Sequence, residues 1–114
     1  MPTKIERNFD LNQVNNRVSM ELGGATAATV QLTLLSDTTP PSFVVTIKRS
    51  LDGETWVVLE STQTFSQAAY SDTALSSMTN KIDCAGFSWI AAEVTTAAGS
   101  ALEGRLIIFA NRTF

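Results

Sequence analysis

The sequence predicts an all-β fold, a single-domain antiparallel β-sandwich of jelly-roll or Ig-like type with roughly seven to eight strands, and three observations carry that expectation. Apolar and polar residues alternate in short runs, as Phe43, Val45 and Ile47 do against Val44, Thr46 and Lys48. The runs recur about every ten residues, punctuated by Gly, Pro, Asp and Ser. No stretch carries the period of a helix of ordinary length.

The elements follow in chain order. Residues 1–16 are polar, with Ile5, Phe9, Leu11 and Val14 as isolated apolar points, and are expected to form an N-terminal arm ahead of a sandwich domain over 17–114. Val18, Met20 and Leu22 alternate with Arg17, Ser19 and Glu21 in a first strand that ends at Gly23-Gly24. A second strand runs from Ala28 to Leu35, with Val30, Leu32 and Leu34 on its buried face. Ser36 to Pro41 is a loop, because proline cannot donate to a ladder and aspartate favours local turn bonds.

Phe43 to Leu59 supplies a hairpin. Asp52-Gly53 reverses the chain, Gly53 taking the positive φ of a tight turn, and Trp56-Val57-Val58 resumes a β-favouring run. The weakly patterned stretch from Ser61 to Met78 reads as a long excursion with one short strand or helical turn near Ala68 to Leu75. Lys81 to Asp83 is a short strand, Trp89 to Thr95 a clear one, and Ala97 to Ala101 a loop. Gly104 to Phe109 pairs back with Leu106 and Ile108 on one face and Ile107 and Phe109 on the other. Apolar character on both faces places that strand centrally or at a contact between subunits.

Composition narrows the function. The chain has 114 residues, 44% hydrophobic and 17% charged, which suits one globular domain that buries roughly 65% of its unfolded surface. So few charges, with many Thr, Ser and Ala, point to a surface partly covered by neighbours. Net charge is −3, and the cations are scattered from Lys4 to Arg112, so the basic stripe that phosphate-backbone binding needs is absent and direct nucleic-acid binding is not expected. The same balance disfavours anionic membranes, and no apolar run approaches the roughly 20 residues of a span. The N-terminus lacks the apolar middle of a secretory signal, so synthesis and use without that export route are expected.

Enzyme readings fail on residue types. Histidine is absent, which removes Ser-His-Asp and Cys-His machinery, and Cys84 is the one cysteine, so no internal disulfide and no ordinary zinc, copper or haem site can be assembled. Cys84 reads as a buried structural thiol. Asp52 and Glu54 could act as paired carboxylates or calcium ligands, but an exposed turn lacks the desolvation that raises a catalytic pKa, and calcium needs more oxygens. Gly23-Gly24 lacks the lysine and crossover helix of a phosphate cradle. No catalytic residue, cofactor or metal is expected. Trp56 and Trp89 read first as core aromatics, with sugar stacking as the alternative role.

The strand-turn-strand from Val45 to Trp56, with Ser50, Asp52, Gly53 and Trp56 in an S-x-D-G-x-x-W pattern, is followed by Ile82 to Phe87 and by Trp89 to Val94. Over roughly the C-terminal two thirds of the chain, this order resembles a module of bacteriophage virion proteins carried on a β-sandwich, although Ala92 and Glu93 replace the arginine and hydrophobic residue frequent there. Related hairpins occur in discoidin-like and other carbohydrate-binding sandwiches. The resemblance implies a non-enzymatic structural protein, made in the host cytoplasm and resident in the virion, that decorates or stabilises a capsid. Its partners would be the major capsid protein or other virion subunits, with self-association, a trimer in first place. Ile5, Phe9 and Leu11 of the arm are the expected contacts with the shell. The alternatives are a carbohydrate-binding module, with Trp56 and Trp89 stacking on the sugar, and a head-tail, neck or tail adaptor.

Overall fold

The structure, a computed structural model, describes residues 3–35, 42–58, 64–66, 76–99 and 102–111, and among these the side chains of 3, 76–81 and 111 are left aside. Nine strands are present in that part: β1 (Thr3–Asp10), β2 (Arg17–Glu21), β3 (Ala27–Leu34), β4 (Val44–Ser50), β5 (Trp56–Val57), β6 (Thr64–Ser66), β7 (Ser76–Asp83), β8 (Trp89–Thr96) and β9 (Glu103–Asn111). They pair antiparallel in two sheets. One runs β1-β9-β3-β7; the other runs β2-β8-β4-β5, with β6 also paired to β4. Because β5 pairs with Arg49 and Ser50 while β6 pairs with Val44 to Thr46, the two short strands share one edge of β4 end to end. This is the antiparallel β-sandwich that the alternation predicts.

Period-2 patterning fixes which face goes inward. On β3, Ala28, Val30, Leu32 and Leu34 are buried while the residues between them are half-buried. Their partners Ala110, Ile108, Leu106 and Gly104 on β9 complete the inner layer of the four-stranded sheet. From the other sheet, Met20, Val45, Ile47, Ile90, Ala92 and Val94 meet that layer in one core. At Gly104 the backbone is pressed close, since a Cβ there would stand 2.9 Å from Leu32 Cδ1 and 3.2 Å from the Thr33 carbonyl.

Two sequence expectations need correction. Within the segment expected to be an arm, Thr3–Asp10 pairs with β9 over its whole length as an edge strand. The side chains of Phe9 and Leu11 close one end of the core, at 1% and 0% exposure, and Leu11 is clamped by backbone bonds from its N–H to Leu102 O and to its O from Ala98 N. The second correction concerns Asp52-Gly53. The connection between β4 and β5 is the five-residue loop Leu51–Thr55 rather than a tight two-residue turn, while Gly53 does take the expected positive φ. The loop expected at 36–41 and the short element expected near 68–75 lie outside the described residues.

Arg49 ties the sheets together. It points inward from β4, is 1% exposed, donates from its guanidinium to the Asp83 carbonyl at the end of β7, and lies 5.9 Å from the Phe87 ring centroid. A charge so far from water is tolerated because it is held by oxygen and π partners, and removing them would strand it.

Candidate functional site

The residues that carry the S-x-D-G-x-x-W pattern meet at one end of the sandwich, and each has a physical task there. Ser50 Oγ accepts the N–H groups of Asp52 (3.2 Å) and Gly53 (2.9 Å) and donates to Asp52 Oδ1 (3.0 Å). The same Asp52 oxygen accepts the N–H groups of Glu54 and Thr55, each at 2.8 Å. Side-chain oxygens thus satisfy the backbone donors of the loop. These bonds, that from Thr55 foremost and then that from Glu54, hold the Asp52 carboxyl down to about 2. Gly53 has φ +80°, and a Cβ there would come within 3.0 Å of Trp89 Cε2. Both facts require glycine.

Trp56 and Trp89 are not core residues, which corrects the first reading of them. Both are half-buried and flank Ser50 in a single cross-strand row, Trp56 on β5 and Trp89 on β8, with Glu21 of β2 beyond Trp89. Ser50 faces away from the core, because Val45, Ile47 and Arg49 occupy the inner positions of β4. The two indoles therefore stand on the outer face of the five-stranded sheet.

An ionic cluster shares that face. Glu93, its side chain 9% exposed, accepts from Lys48 Nζ at 2.6 Å and from Arg17 at 3.4 Å. The Arg17 guanidinium in turn lies 4.8 Å from the Trp56 ring centroid, a cation–π distance. Ala91, small and fully buried, lies between Ser19 and Lys48 in the neighbouring row. Arg17 of edge strand β2 therefore reaches an indole of edge strand β5, and the face is roofed by its own long side chains. One surface of Trp56 is taken by Arg17 and one of Trp89 by Gly53.

The remaining candidates are quickly placed. Cys84 is fully buried and burial pushes its thiol up to about 11, which describes an inert core thiol. Among the described residues no group of three or more His, Cys, Asp or Glu side chains is placed to hold a metal ion, and no helix is long and apolar enough to cross a membrane. A hollow of about 450 Å³ at the opposite end of the sandwich is lined by Asp10, Asn12, Leu102 and Glu103. Of the three residues expected to touch a shell, Phe9 and Leu11 are spent on the core and Ile5 is half-buried against it.

Fold and site together define a small antiparallel β-sandwich with a braced hairpin at one end and a self-covered aromatic and ionic face. No protein-family model matches the sequence, and none of the curated proteins does. Among solved structures, the chain is similar to one in the acidic stable capsid structure of the Helicobacter pylori bacteriophage KHP30, with 17% identity and a TM-score of 0.55 over 96% of this chain and 92% of that one. It is similar to the SPBc2 prophage-derived protein YomS, with 16% identity and a TM-score of 0.53 over 95% of each chain. A chain of the cyanophage Pam1 capsid asymmetric unit matches with 14% identity and a TM-score of 0.51, over 98% of this chain and 86% of that one. At such identities the likeness is one of fold.

Proposed function

We propose that this chain is a non-enzymatic structural protein of a phage particle that decorates or stabilises the capsid through contacts between subunits. The observation that carries this reading is the end-to-end nature of the fold match, in which chains from two phage capsid structures align over 92% and 86% of their lengths. The match spans 96% and 98% of this chain as well. The inert thiol, the absence of histidine and the fully bonded Asp52 turn agree with a task of adhesion.

Mechanistically, such a protein adds buried area at seams between shell subunits and raises the cost of separating them. A specific contact buries about 1,600 Å² in total, and symmetric repetition multiplies modest affinities. Self-association around a local three-fold axis suits that geometry. Density-gradient fractionation tests the reading: the chain bands with intact particles if it is a virion component, and stays at the top of the gradient if it is not.

A second reading, a carbohydrate-binding module, draws on the outer-face position of Trp56 and Trp89 beside Arg17, Lys48 and Glu93. It requires a sugar to displace Arg17 from Trp56, and a shift of tryptophan emission on titration with sugars is its signature.

A further inference from the structure

The outer face of the four-stranded sheet carries apolar residues at its middle. Because Leu106, Ile108 and Ala110 of β9 turn into the core, Ile107 and Phe109 point away from it. Phe109 is 38% exposed and Ile107 is half-buried. Strand register makes the surface contiguous. Phe109 lies between Lys4 of β1 and Thr29 of β3, and Ile107 lies between Glu6 and Gln31. These are adjacent outward rows, about 7 Å apart at the usual rise of a strand. Arg105 donates to Glu6 and holds its carboxylate on this same face.

The two rows complement each other. Lys4 in one is opposite in charge to Glu6 in the other, Phe109 has an apolar counterpart in Ile107, and Thr29 has a polar one in Gln31. A two-fold axis lying in the plane of contact, across the strands and between the rows, sets each row of one copy on the other row of a second copy. A two-fold contact requires such self-complementarity, since residue i meets j while j meets i. We infer that this face is a two-fold interface between two copies of the chain, with Phe109 packed on Ile107 at its centre and Lys4 paired with Glu6 at its rim. Sheets that stack within about 30° of alignment keep rows near the axis in register. Area agrees with the assignment. Four strands of eight or nine residues, about 4.8 Å apart and about 3.3 Å per residue, give a face of roughly 500 Å² in plan, so two faces together cover about 1,000 Å², where specific interfaces begin. The inference does not rest on the virion reading.

Sedimentation equilibrium of the full chain tests it, with wild type, Phe109→Ser, Lys4→Glu, Glu6→Lys and an equal mixture of the last two. Wild type is expected to be a dimer at micromolar concentration. Each substitution alone should weaken the dimer by about tenfold or more, since Phe109→Ser removes the central anchor and either charge reversal sets like charges on each other. The mixture should recover the dimer, because each variant offers the other the opposite charge at both rim positions. Thermal melts identify a folding defect, and recovery in the mixture requires folded chains. Wild type that stays monomeric up to millimolar concentration, or a dimer that none of the substitutions weakens, overturns the interface. Charge variants that dissociate without recovering in the mixture overturn the two-fold pairing. A trimer in place of the dimer does the same and leaves the virion reading standing, which particle banding tests on its own.

Discussion

The indole of Trp89 lies directly against Gly53, so close that a single added carbon at residue 53 would stand 3.0 Å from Trp89 Cε2. Strand β8 and the hairpin loop are thereby locked to each other. Gly53→Ala adds a methyl group where it both strains a φ of +80° and displaces the ring, and a loss of about 1–3 kcal/mol in urea unfolding is expected.

Ser50 is the hinge of the turn network. Its hydroxyl is fully buried, so Ser50→Ala leaves the N–H groups of Asp52 and Gly53 without their acceptor and should cost about 1–3 kcal/mol. Asp52 adds a dependence on pH. Its folded pKa is lowered from 3.8 to about 2, so its contribution is fully present above the unfolded value and is lost as pH falls through the folded one. Wild-type unfolding midpoints should therefore drop between about pH 4 and pH 2 more steeply than those of Asp52→Asn.

The Arg17–Trp56 contact predicts a measurable coupling between the two edge strands of the five-stranded sheet. A double-mutant cycle with Arg17→Ala and Trp56→Ala should return about 0.5–1 kcal/mol, modest because Arg17 is partly exposed. Glu93→Ala should cost more than Arg17→Ala, since it leaves Lys48 and Arg17 without their shared carboxylate.

Residues 3–10 are part of the sandwich, and their removal should show it. Phe9→Ala is expected to cost about 3–5 kcal/mol. Deleting the first ten residues should abolish cooperative thermal unfolding, whereas loss of a free arm would leave the transition intact.

Cys84 should resist thiol reagents at neutral pH while the chain is folded and react fully in denaturant, because burial both blocks access and suppresses the thiolate. Rapid modification of the native chain would contradict the placement of this residue.

Strands with clean alternation were legible in the sequence: β2, β3, β4, β8 and β9 fall within a residue or two of where the periodicity places them. Strand β1 escaped because Arg7 occupies the position between Ile5 and Phe9 that a two-sided sheet would fill with an apolar residue. An edge strand tolerates this, since the side chain remains exposed there. Most of β7 carried little apolar signal and forms through its pairing with β3. The outer-face position of Trp89 had a signal, because Trp89, Ala91 and Glu93 alternate with Ile90, Ala92 and Val94 and a glutamate marks the wet side. The Arg17–Trp56 contact had none, since it depends on the registers of four strands at once.

Cryo-electron microscopy of the native particle tests the central claim most directly. Density for the two-sheet sandwich of this chain, repeated at symmetry-related positions and contacting shell subunits, is the expected result. A particle built to completion with no such density, while the chain accumulates free in the lysate, would contradict it.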